Sequence, residues 1–210
     1  MFWVLLFATL VVAAADWVAV ALDKRAAEYV LKPLTMVVLV AAALSMSGPD
    51  PSAARWWVVA ALLASLAGDV FLMLEDRFVA GLSAFLVAHL LYIGAFITMG
   101  VEAMPFVLGA ALVAVLVRAL GVKMVVAATE SDRSLGGAVA AYLAVISLMV
   151  AFGIGTARWW VIAGALLFYA SDAMIGWSRF VGPFPQHRVA IMTTYHLGQV
   201  GLVLGLLGSA

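Results

Sequence analysis

LLASLAGDVFLMLEDRF, residues 62–78, is apolar enough to cross a bilayer, yet it carries Asp69 well inside the run. LLFYASDAMIGWSRF, residues 166–180, repeats the arrangement around Asp172. A carboxylate at the centre of a membrane helix costs roughly 2.5–3.5 kcal/mol on insertion scales, so such residues are functional by default. Two of them at matched positions on two helices point to one site that needs a carboxyl pair.

The rest of the composition agrees with a membrane setting. Of the 210 residues, 67% are hydrophobic and only 10% charged, and the mean hydropathy is +1.20. Soluble domains carry about 25% charged residues, and no soluble fold of this length hides so much apolar surface. The formal net charge is zero, which gives no sign of a nucleic-acid partner. There is no cysteine, so disulfides, thiolate catalysis and cysteine-bound metals are excluded. The first residues, MFWVLLFATL, lack the basic stretch that precedes a signal-peptide core. Ala13–Ala15 resembles a small-residue cleavage site, but the apolar run continues through Trp17–Leu22.

A spanning helix needs about 20 mainly apolar residues. Eight segments meet that need: 2–21, 29–46, 55–74, 79–99, 104–120, 137–155, 158–177 and 187–207. The fold class is therefore an all-α, polytopic membrane protein, a bundle of eight transmembrane helices in a single domain over 1–210. Residues 121–136, with the polar run TESDRSLGG, read as a surface loop. Basic residues set the orientation. The odd-numbered connections hold eight of them (Lys24, Arg25, Arg77, Arg118, Lys123, Arg133, Arg179 and Arg188), the even-numbered two (Arg55 and Arg158). The positive-inside rule then puts the odd connections in the cytoplasm and both termini outside. Trp56, Trp57, Trp159 and Trp160 mark the outer interface.

The tryptophan pairs are 103 positions apart, as are Asp69 and Asp172, and Tyr92 and Tyr195. This constant offset suggests a duplication of four helices, with parallel repeats at 1–103 and 104–210. It sets both aspartates at one depth, in the cytoplasmic half. His89 and Tyr92 share a face of the fourth helix, and Tyr195 and Gln199 a face of the eighth. Lys32, Asp16 and His196 complete the buried polar set. Plainer roles exist for some of these: an Asp16–Lys32 ion pair joining helices 1 and 2, or His196, Tyr195 and Gln199 as interhelical hydrogen-bond glue. Two facing carboxyls suit acid–base chemistry, because in a low dielectric they do not both ionise cheaply. A metal site has little support, since no HExxH spacing occurs, and neither does a GxSxG elbow.

The block GDVFLMLEDRFVAGLSAFLVAHLLYIGAF (68–96), the Lys32-Pro33 pair and SDAMIGWSRF…TTYHLGQ (171–199) resemble the YhhN-like lysoplasmalogenase family of integral membrane hydrolases. The resemblance implies cleavage of the vinyl ether bond of a lysophospholipid, with no cofactor, to a fatty aldehyde and glycerophosphocholine or glycerophosphoethanolamine. It implies Asp69 and Asp172 as catalytic residues, with Lys32, His89, Tyr92, Tyr195 and Gln199 binding or orienting substrate. Lys32 is expected to meet the substrate phosphate. The location expected is a bacterial inner membrane. The same aspartates would also suit another intramembrane hydrolase, of lipid or peptide, or a small proton-coupled transporter built from parallel repeats. Asp16 matches no motif of the family, and the resemblance assigns no role to His196.

Overall fold

The computed structural model describes residues 1–74 and 76–208, and within them every regular element is helical. The helices are α1 (Phe2–Ala21), α2 (Arg25–Ser45), α3 (Ser52–Met73), α4 (Phe78–Met99), α5 (Ala103–Leu116), α6 (Val122–Ser131), α7 (Arg133–Gly155), α8 (Trp159–Phe180) and α9 (His187–Leu204). A π-helical turn, Val117–Gly121, joins α5 to α6, so that one helical rod runs from Ala103 to Ser131. Eight spans long and apolar enough to cross a membrane result. Their outer faces carry Trp3, Phe7, Leu63, Leu90 and Leu108, all exposed, as a lipid-facing surface requires.

The stretch 121–136, expected as a surface loop, is the main correction. At 1.5 Å per residue the 29-residue rod is about 43 Å long, longer than the ~30 Å hydrocarbon core. Its polar end is thus the protruding part of a helix. Met124 and Ala128, four apart, are buried on one face of it. The true break is Asp132, whose carboxylate accepts from the backbone N–H of Ser134 at 2.8 Å and starts α7.

Helices pack in two runs: α1 on α2, α2 on α3 and α3 on α4, then α5 and α6 on α7, α7 on α8, and α8 on α9. The halves meet where α4 packs on α7 and where α9 packs on α1, α2 and α3. Helix α9 is the most buried of the spans. At one end of the bundle lie Arg25, Arg77, Arg179 and Arg188; at the other, Arg55 donates to Met46 O and Arg158 to Asp50 O.

Helices α8 and α9 approach through small residues. A Cβ on Gly164 would lie 2.7 Å from Leu202 N and 2.8 Å from Gly198 O. Both are backbone atoms, which do not move aside, so the contact requires glycine. Gly164→Val is expected to lower stability by about 1–3 kcal/mol. Gly137→Val, where a Cβ meets nothing within 4 Å, should change it little. Thermal unfolding in detergent micelles checks both.

Candidate active site

Asp69 and Asp172 both sit inside the bundle, with side chains 1% and 7% exposed. Each has partners of its own. Tyr195, on α9, donates its hydroxyl to Asp69 Oδ2 at 2.6 Å. Lys32 Nζ, from α2, lies 3.2 Å from Asp69 Oδ1. Tyr142, on α7, donates its hydroxyl to Asp172 Oδ2, and His89 Nε2, from α4, lies 3.5 Å from the same oxygen. Asp69 thus has a cation beside it, whereas Asp172 has a phenol and an imidazole.

The carboxyls make no hydrogen bond to each other, so the facing pair expected from their equivalence is not a direct contact. Aromatic rings stand between their partners. Phe168 packs on Tyr195, with centroids 5.5 Å apart, and on His89 at 4.8 Å. Phe85 packs edge-on against both Phe168 and Tyr195. Its ring fills the space where Gly68 lacks a side chain, since a Cβ there would lie 2.6 Å from it. The Gly-Asp step at 68–69 therefore has a steric reason. It lets an aromatic side chain press against α3 beside the carboxylate.

An apolar groove opens on the Asp172 side. Its cavity volume is about 50 Å³, and it is lined by residues of α3, α4, α6, α7 and α8. Phe78 and Phe180 stand at the basic end, Met124 and Gly176 further in, and Tyr142 and Asp172 supply the polar groups. Asp69 is not among the lining residues. At the basic end the Arg179 guanidinium stacks on Phe78 at 3.9 Å, and Lys123 Nζ lies 5.9 Å from the Trp177 ring.

Of the other expected residues, Tyr92 donates to Gln199 Oε1, linking α4 to α9. Both are fully buried. The expected meeting of Lys32 with a phosphate does not fit its geometry, because its side chain is 7% exposed and its ammonium is engaged by Asp69. For the same reason no Asp16–Lys32 ion pair forms; Lys32 has chosen the other carboxylate. His196 accepts from Trp17 Nε1 at 3.1 Å. Outside the spans, Asp23 is held below the usual carboxylate range by the Arg188 guanidinium that donates to it at 2.6 Å.

Tyr142 was not legible as a site residue. Its one signal is positional: it lies thirteen residues before the end of α7, as Lys32 lies thirteen before the end of α2. The corresponding offset is 110 residues rather than 103. That shift of seven hides the equivalence from a search at fixed spacing.

Residues 27–206 match the YhhN family. The chain belongs to the YhhN family. Among curated relatives it is 37% identical to lysoplasmalogenase TMEM86B of Homo sapiens over 152 residues, which cover 71% of this chain and 62% of that protein. It is 35% identical to lysoplasmalogenase of Mycobacterium bovis over 179 residues, 81% of this chain and 67% of the relative. Lysoplasmalogenase TMEM86A of Homo sapiens is 34% identical over 175 residues, 76% and 68%. The chain thus spans somewhat under two thirds of the TMEM86B proteins that it matches. No solved structure matches it. In this YhhN chain both site aspartates and all their partners fall within the matched residues, while Asp16 and Trp17 precede them.

Proposed function

We propose that this YhhN protein hydrolyses the vinyl ether of a lysoplasmalogen, with Asp172 as general acid and Asp69 as general base. The observation that carries the division of roles is the different company of the two carboxyls. Asp172 borders an apolar groove and has no cation beside it, so no fixed positive charge there balances a carboxylate. Asp69 has Lys32 at 3.2 Å, which compensates a carboxylate. The names of the relatives supply the substrate class.

The alkenyl chain lies in the groove and brings the double bond to Asp172. Asp172 gives its proton to the β-carbon, and an oxocarbenium ion forms at the α-carbon. Asp69 takes a proton from the water that adds there, and the hemiacetal collapses to a fatty aldehyde and a glycerophospho-alcohol. Tyr142 and His89 orient Asp172; Tyr195 orients Asp69, and the Tyr92–Gln199 link holds α4 against α9 behind them. Arg179 and Lys123, at the groove's basic end, replace Lys32 as the side chains that meet the headgroup phosphate. The basic end faces the cytoplasm, so a single-chain lipid enters sideways from that leaflet. The matching places of Lys32 and Tyr142, each on the helix before its aspartate, support the reading of two parallel repeats.

The direct test incubates purified protein in micelles with an alkenyl-lysophospholipid and measures free aldehyde, with the acyl-linked lysophospholipid alongside. Aldehyde release without acyl cleavage supports the reading; cleavage of the acyl lipid alone overturns it. Filling the groove gives a further check. Gly176 lines it one turn beyond Asp172, and a Cβ there would lie 2.9 Å from the sulfur of Met124, so a side chain displaces that flexible thioether. Gly176→Phe is expected to reduce hydrolysis roughly tenfold, about 1.4 kcal/mol of lost transition-state binding. Its thermal unfolding should stay close to that of the wild type.

A further inference from the structure

Hydrolysis in a membrane interior consumes water, and the groove that admits the lipid is apolar. Five buried polar atoms without a protein partner lie on α1, α3 and α9, the helices on the Asp69 side, while His89 beside Asp172 leaves both ring nitrogens without a hydrogen bond. Asp16, on α1, is fully buried, and neither of its carboxylate oxygens has a hydrogen-bond partner. His196 and Gln199, on α9, each leave a buried Nε2 unpaired, and Ser65, one turn before Asp69 on α3, leaves its hydroxyl unpaired. The Trp17 indole, which only donates, gives its proton to His196 Nδ1. A neutral His196 therefore carries its own proton on Nε2, as a free donor.

Acceptors on α1 and donors on α9 thus face the interior without touching. Unsatisfied buried groups of both kinds cost about 1–3 kcal/mol each, and internal water is the usual remedy, bridging some three of them per molecule. Asp69 lies one turn beyond Ser65 on α3, and Tyr195, which donates to Asp69, directly precedes His196 on α9. Val20, one turn beyond Asp16 on α1, lines a cavity of about 330 Å³ with Ala21, Gln186, His187, Arg188 and Val189.

We infer that an internal water site between α1, α3 and α9, with Asp16 at its entrance, supplies the hydrolytic water to Asp69. Lipid and water then reach the carboxyls from opposite faces. The lipid comes through the groove between α4, α7 and α8, and the water from the basic end along α1 and α9. Asp16 is a positioning residue, holding water that Asp69 deprotonates. This step rests on the hydrolase reading above; the water site itself does not.

Two measurements keep them separable. Radiolytic hydroxyl footprinting labels buried side chains that touch internal water. His196 is expected to be labelled in the wild type, and Phe96, equally buried but without polar atoms, is not. An unlabelled His196 overturns the proposal, whatever the activity. The second measurement is catalytic: Asp16→Leu should slow aldehyde release at least tenfold, with unchanged affinity for an uncleavable alkyl-ether lysophospholipid. Asp16→Asn, which still binds water, should stay within about threefold of wild type. Wild-type turnover in Asp16→Leu overturns the proposal. A labelled His196 in a protein that releases no aldehyde from any alkenyl lipid upholds the water site and overturns only the substrate reading.

Discussion

Asp172→Asn is expected to reduce aldehyde release from an alkenyl-lysophospholipid by about 10²–10⁴-fold, the usual worth of a positioned general acid. The amide keeps the shape of the carboxyl and still accepts from Tyr142, but it has no proton acidic enough for an enol-ether carbon. Groove shape is unaltered, so an uncleavable alkyl-ether analogue should bind as before. Asp69→Asn should lose a similar factor for the complementary reason, having no base to take the proton of water. Because the two act in one reaction, the double variant should be little worse than either single one. Turnover in either single variant within threefold of wild type would sink the assignment of that residue.

Lys32→Met carries the largest expected effect on stability. It removes the cation that lies 3.2 Å from a carboxylate whose side chain is 1% exposed. Breaking a buried pair on one side costs about 3–5 kcal/mol, since the remaining charge stays uncompensated. Lys32→Met/Asp69→Asn replaces the pair by groups that need no counter-charge, and should recover most of that loss while remaining inactive. Chemical unfolding in mixed micelles measures both. If Lys32→Met alone unfolds like the wild type, the pair does not hold α2 to α3. Loss of activity with full recovery of stability in the double variant separates the chemical role of Asp69 from its structural one.

Much of this architecture is written in single residues. Eight apolar runs announce eight spans, because the bilayer rewards length and hydrophobicity almost regardless of neighbours. Asp69 and Asp172 stand out for the same reason, as charges where charge is costly. The helix end at 121–131 is ambiguous in sequence because polar residues in water suit loops and protruding helices equally. Its helicity is supported by Met124 and Ala128 packing inside the bundle. Tyr142 escaped notice since a tyrosine in an apolar span is commonplace, and only its hydroxyl's contact with Asp172 distinguishes it.

The sequence alone determined that this is a membrane bundle of eight helices with two aspartates inside its spans. Hydrophobicity and charge act locally, residue by residue, and so can be read along a line. Tertiary structure alone decided that Lys32 serves Asp69 rather than Asp16, that Tyr142 serves Asp172, and that Phe85 and Phe168 stand between the two partner sets. Which helix faces which is set by the fit of small residues such as Gly68 and Gly164 against their neighbours, and that fit exists only once the chain has folded.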